Sequence, residues 1–302
     1  MAHWKLTLAY DGTPYHGWQV QPGLATVQGA LSDAIHRTTG ERVLPQGSGR
    51  TDAGVHALGQ VASFALHAAV PAGNLHRALN RCLPPSIRVL SVEQAADSFH
   101  ARHSAVRKTY EYRIFPLSRA DGDADFETRP ENICPPTLAP YVWPCPWPLD
   151  LALLNDAARH ILGEHDFTSF AANDPELAER RYPLQDAAHQ DWEMGAGTRQ
   201  FSALRCIGES RWALRDGLLI YTVTGSGFLH HMVRNLVGTF VQVGARRLDA
   251  NSLPSILAAR DRSAAGPTAP ASGLFLVSVE YPEPQHQGER PAAAQAFAGP
   301  AR

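Results

Sequence analysis

The chain opens on a strict alternation. Trp4, Leu6, Leu8 and Tyr10 are large and apolar, separated by Lys5, Thr7 and Ala9, and a period of two is the signature of a half-buried strand. Asp11-Gly12-Thr13-Pro14 breaks it. The period then lengthens: Val27, Leu31, Ala34 and Ile35 predict a helix that starts after a Thr26 N-cap and stops before Gly40. Residues 61–66 read as strand. Leu75, Ala78, Leu79, Cys82 and Leu83 predict a second helix, stopped by Pro84-Pro85. Residues 87–92 and 109–115 are strands again.

The second half repeats this order. A helix is expected at 151–162, then a hairpin of 201–215 and 218–224 that turns at Asp216-Gly217. A helix at about 231–243, a short one at about 253–259 and a last strand at 275–281 follow. The pattern predicts an α/β (α+β) chain in two halves, residues 1–107 and 108–284, with joined sheets and a cleft between the halves. Residues 117–148 and 173–198 break the pattern and read as insertions. The tail beyond Pro282, with 285–302 throughout, is rich in Pro, Ala and Gln and is expected to be disordered.

Composition narrows the class. Of 302 residues, 44% are hydrophobic and 19% charged, which supports a substantial core and excludes global disorder. No apolar run approaches the roughly 20 residues of a membrane span. The N-terminus enters a strand pattern at once rather than a signal-peptide core. Cys82, Cys134, Cys145 and Cys206 form no CxxC pair, so neither a zinc knuckle nor a disulfide framework is expected, and a reducing cytoplasm is the expected location. Net charge is −2, unevenly spread: residues 1–115 hold 11 Lys/Arg against 7 Asp/Glu, and residues 116–215 hold 9 against 16. The asymmetry fits a basic surface in the first part and an acidic, solvated insertion in the middle.

The chemistry concentrates in Gly47-Ser48-Gly49-Arg50-Thr51-Asp52-Ala53-Gly54-Val55-His56-Ala57. Its glycines allow tight turns and close approach of a ligand, and between them stand a cation, a hydroxyl and a carboxylate. Two readings stay open on residue type alone: a catalytic loop, or a tight turn with an exposed ion pair. Three other stretches join it: the polar, aromatic loop Tyr10 to Gln21, the strand Lys108-Thr109-Tyr110-Glu111-Tyr112-Arg113, and Ser226-Gly227-Phe228-Leu229-His230-His231-Met232-Val233-Arg234-Asn235. His230-His231 and His100-Ala101-Arg102-His103 lack a zincin-type carboxylate spacing, so no metal is assigned. No nucleotide-cofactor fingerprint is present, and no cofactor is expected.

Taken together these stretches resemble the TruA family of tRNA pseudouridine synthases. The resemblance rests on the YDGTxYxGWQxQ opening, Thr26-Val27-Gln28, the GSGRTDAGVHA loop, and Phe99-His100-Ala101-Arg102. It continues through KTYEYR, HDFTSF at residues 165–170, FLHHMVRNLVG and GPTAPASGL at residues 266–274. All occur in family order over about residues 3 to 282. His103 departs from the pattern, where relatives commonly carry an aromatic, and the two insertions are longer than in compact relatives.

The resemblance implies a pseudouridine synthase fold of two pseudo-symmetric halves with antiparallel or mixed sheets and a central active-site cleft. It implies that uridine is isomerised to pseudouridine at positions 38 to 40 of the tRNA anticodon arm, by a homodimer that contacts tRNA with both subunits. It assigns Asp52 as nucleophile, Tyr110 to stack on a flipped-out base, and Arg234 to pair with Asp52. It further assigns Arg50 to phosphate contact and nucleotide extrusion, and Leu229 and Met232 to an apolar wall against the uracil. Two rivals stay in view: a catalytically silent tRNA-binding or folding module, and a hydrolase using Asp52 with a histidine such as His56.

Overall fold

A computed structural model describes residues 1–117, 133–172 and 202–282. The insertion expected at 173–198 and the tail from residue 283 lie outside the described residues.

Among the described residues, ten strands form one mixed sheet. In chain order they are β1 (Ala2–Tyr10), β2 (Gln46–Gly47), β3 (His56–Leu66), β4 (Ile87–Ala95), β5 (Arg107–Pro116), β6 (Trp143–Cys145), β7 (Gly163–Asp166), β8 (Leu204–Arg215), β9 (Leu218–Gly225) and β10 (Leu274–Glu280). The helices are α1 (Val27–Thr39), α2 (Ala72–Cys82), α3 (Leu151–Arg159), α4 (Met232–Gly244) and α5 (Leu253–Ala259). Spatial order along the sheet is β4-β1-β3-β10-β5-β9-β8-β7, with β2 paired to β3 and β6 to β5. The last strand therefore lies in the middle. β10 pairs in parallel with β3 at Phe275–His56 and Leu276–Ala57, and antiparallel with β5. That placement joins the N-terminal and C-terminal strands into a single sheet, as expected.

Local chemistry explains the elements. Trp4, Leu6, Leu8 and Tyr10 are all buried, so the alternation reports one face of β1 against the core. The Thr26 side chain accepts from Gly29 N, and Gly40 closes α1 in the left-handed region at φ 79°, as an N-cap and a C′ glycine do. Asp216 and Gly217 both take positive φ, 50° and 77°, the type I′ geometry that matches the twist of β8 and β9. Helix α4 is buried on nearly every side, which makes it a core helix rather than an amphipathic one.

Four differences from the sequence reading matter. The strand expected at 61–66 extends back to His56, and the helix expected to reach residue 162 ends at Arg159. Residues 163–166 form β7, too short and too polar to show a period. Most importantly, part of the segment read as an insertion is built into the frame. β6 adds to β5 in parallel at Ile114–Trp143, and Pro140 and Tyr141 reach the loop beneath Asp52, as described next.

Candidate active site

The strands present their ends to a cleft of about 950 Å³. Its walls come from the loop after β1 (residues 16–21), the glycine-rich loop before β3, Lys108 and Tyr110 of β5, Leu204 and Arg205 at the start of β8, and residues 226–233 leading into α4. Of the six residues proposed from the sequence, Arg50, Asp52, Tyr110, Leu229 and Met232 line it, and Arg234 stands behind the wall, ion-paired with Asp52.

The loop that carries Asp52 is held from below by the loop after β1. Trp18 N donates to Thr51 O at 3.0 Å, Gly54 N to Tyr15 O at 3.2 Å, and Tyr10 Oη and Thr51 Oγ1 share a buried hydrogen bond of 2.9 Å. Gly17 makes the approach possible. It sits at φ 87°, and a Cβ there would stand 2.5 Å from Thr51 O. Beneath, Gly12 N donates to His56 Nδ1 at 3.1 Å, and His56 Nε2 lies 3.1 Å from Pro140 O. Tyr141 Oη donates to Asp11 Oδ2 at 3.1 Å. Burial pushes the His56 pKa down, against the pull of Asp11. His56 is thus a buried strut with both ring nitrogens engaged, and it is not among the residues that line the cleft.

Asp52 receives three side chains of the β9–α4 junction. Arg234 Nη1 donates to Oδ2 at 3.0 Å, His231 Nε2 lies 3.3 Å from Oδ2, and His230 Nε2 lies 3.4 Å from Oδ1. Two adjacent histidines reach one carboxylate because His231 takes φ 59°, a left-handed conformation that is uncommon without glycine. Burial alone would raise the Asp52 pKa, but His230, His231 and Arg234 outweigh it and hold the carboxyl below its ordinary value. Burial also lowers the proton affinity of His231, so the permanent counter-charge at neutral pH is Arg234. That guanidinium is itself fixed, its Nε donating to Ala269 O at 2.8 Å while Ala269 N donates back to Arg234 O at 3.1 Å.

Beside the carboxylate stands an aromatic corner. Tyr110 is buried, and its ring meets Phe228 edge-on, with centroids 5.0 Å apart. Burial, with Tyr10 and Asp52 nearby, pushes the Tyr110 phenol well up, so it stays protonated. Leu229 is buried and Met232 fully so; both line the cleft, so they serve core and wall together. Arg50 is exposed and lines the same cleft.

Lys108, Arg102 and Arg205 also line the cleft and were given no role from the sequence, and His230 and His231, weighed there only as metal ligands and left unassigned, line it too. Lys108 shares the Tyr110 face of β5 by strand period, which was the available signal. Its Nζ donates to Ser48 O at 2.5 Å, and burial, with Arg102 and Arg205 nearby, pushes its pKa down to about 8. Asp52 and the two histidines are also placed so that one ligand atom from each lies within 4.8 Å of the others.

The arrangement suits chemistry in which an ionised, desolvated carboxylate attacks or deprotonates a flat, polar substrate whose anionic backbone meets the surrounding cations. The sequence profile of a family described as tRNA pseudouridine synthase matches residues 7–104 and 157–282, and the chain belongs to that family. It is 46% identical over 278 residues to the tRNA pseudouridine synthase A of Solibacter usitatus, covering 92% of this chain and 98% of that protein. It is 41% identical over 279 residues to the protein of the same name from Moorella thermoacetica, covering 92% and 98%. With that from Maridesulfovibrio salexigens it shares 39% over 281 residues, covering 92% and 90%.

Proposed function

We propose that this protein is a tRNA pseudouridine synthase, an isomerase that converts uridine to pseudouridine at positions 38 to 40 of the anticodon arm with Asp52 as its nucleophile. The observation that carries the reading is the Asp52 carboxylate, kept ionised by Arg234 at 3.0 Å beside the Tyr110–Phe228 corner of a cation-lined cleft.

The reaction breaks the C1′–N1 glycosidic bond and joins C1′ to C5 of the same uracil, whose C5 proton leaves as N1 gains one. Nothing is oxidised, reduced or added. The target nucleotide leaves its stack and places its base against Tyr110, with Leu229 and Met232 closing the apolar side. Unstacking costs a few kcal/mol, part of which contacts from Arg50 to backbone phosphate offset. The Asp52 carboxylate then adds to the sugar or the ring, or removes a sugar proton. The Tyr110 phenol keeps its proton at neutral pH and is available to deliver or relay one.

The same reading makes residues 1–107 and 108–284 two halves around the cleft, and the working form a cytoplasmic homodimer. Among the described residues, no helix is long and apolar enough to cross a membrane. The test is an unmodified tRNA transcript incubated with the protein, followed by carbodiimide labelling and primer extension. Stops at 38, 39 or 40 with unchanged RNA mass are expected. Bound but unmodified RNA would replace the isomerase with a silent binding module, and stops elsewhere would move the target.

A further inference from the structure

We propose that Asp52, His230 and His231 form a three-ligand site for a transition-metal dication, zinc above all, and that the metal and the RNA target compete for it. The spacing is the first argument. Zinc bonds of about 2.0–2.1 Å in a tetrahedron set ligand atoms roughly 3.3 Å apart. His230 Nε2 stands 3.4 Å from one Asp52 oxygen and His231 Nε2 stands 3.3 Å from the other, and the three ligand groups all converge within 4.8 Å.

The donor set is the second. Two imidazoles and one carboxylate are borderline ligands that favour zinc over magnesium or calcium, which require more oxygen donors. Three protein ligands leave the fourth position open to the cleft.

Preorganisation is the third. A ligating carboxylate is held best when its other oxygen has an outer partner. Here Arg234 already grips Oδ2 at 3.0 Å and is anchored on Ala269 O at 2.8 Å. The left-handed His231 backbone keeps the two rings side by side, with centroids 3.9 Å apart. The nearby guanidinium and the other cations of the cleft repel a dication, so binding is weaker than that of a structural zinc. His100 and His103 also lie ring beside ring, with centroids 4.3 Å apart and planes tilted by 47°, but they are not part of the three-ligand group, which makes them the control.

A metal on Asp52 removes the carboxylate from chemistry and occupies the place of the flipped base. The inhibition rests on the proposed role of Asp52; the binding does not. The test uses the full chain stripped with EDTA and titrated with zinc chloride against a chromophoric chelator, with magnesium chloride in parallel and with cobalt chloride followed by visible absorption. One zinc per chain is expected, with a tetrahedral cobalt spectrum. His230→Ala and His231→Ala should each weaken zinc at least about tenfold, while His100→Ala/His103→Ala leaves it unchanged. Added tRNA should displace the metal, and zinc should block turnover until EDTA restores it. No stoichiometric zinc and no tetrahedral cobalt spectrum in the wild type would overturn the site, as would loss of binding only in the His100/His103 variant. Zinc bound at these residues without inhibition would uphold the site and count against Asp52 as nucleophile.

Discussion

Replacing Arg234 with methionine tests how the carboxylate is kept active. The side chains of Asp52 and Arg234 are only 18% and 16% exposed, so their attraction is neither that of water nor that of a dry interior. At an effective dielectric of about 20, unit charges about 4 Å apart attract by about 4 kcal/mol. The imidazoles of His230 and His231 remain beside the carboxylate and recover part of that. A net loss of about 2–3 kcal/mol is left; because the Arg234 fork also orients the carboxylate for reaction, a loss of that size carried into the transition state lowers the rate of the chemical step about 30- to 150-fold. The variant also loses the Nε contact to Ala269 O, so folding must be checked by thermal melting. The assay is single-turnover tritium release from tRNA transcript labelled at C5 of uridine, with affinity measured by filter binding. Arg234→Lys keeps the charge but not the fork and should fall between wild type and Arg234→Met. A folded Arg234→Met protein within about threefold of the wild-type rate would refute the reasoning, because the ion pair would then contribute under about 1 kcal/mol to the barrier.

Three further outcomes are expected. Lys108, with its pKa pushed down to about 8 from the usual 10.5, gives up its proton earlier in the folded protein than in the unfolded chain. Its contribution to stability should therefore rise from pH 8 to 10.5, visible as a melting-temperature difference between wild type and Lys108→Met that shifts over that window; a pH-independent difference would contradict the burial argument. Gly238→Ala should lower stability by about 1–3 kcal/mol, since a Cβ there would meet Pro267 O at 1.6 Å, and an unchanged melting temperature would mean that the α4 contact is looser than described. Arg50→Ala should weaken tRNA binding and flatten its dependence on log salt by about 0.7–0.9, and an unaltered slope would remove its phosphate contact.

The frame was legible where one physical requirement dominates a stretch of chain. Trp4 to Tyr10 alternate because one face of β1 is buried, and α1 begins and ends at residues that satisfy its open backbone groups. Neither β6 nor β7 was legible. Each is short, and what makes it a strand is a neighbour far away, β5 for residues 143–145 and β8 for residues 163–166. The site divided in the same way. Asp52 and Arg234 are 182 residues apart, so no periodicity could pair them; the family resemblance did. His230 and His231 were visible as a doublet, but their convergence on Asp52 depends on one left-handed backbone angle that sequence does not show. Lys108 was quoted within its strand yet passed over, because its importance comes from the Ser48 carbonyl it reaches across the cleft.

Asp52 carries the proposed chemistry, and Asp52→Asn, which keeps the shape and removes the charge, tests that role most directly. Wild type and variant are incubated with unmodified tRNA labelled with tritium at C5 of uridine, and released tritium is counted while tRNA binding is measured in parallel. Release by the wild type alone, with both proteins binding tRNA within a few-fold of each other, is the predicted result. Release by Asp52→Asn at the wild-type rate, or binding without release by either protein, would contradict it.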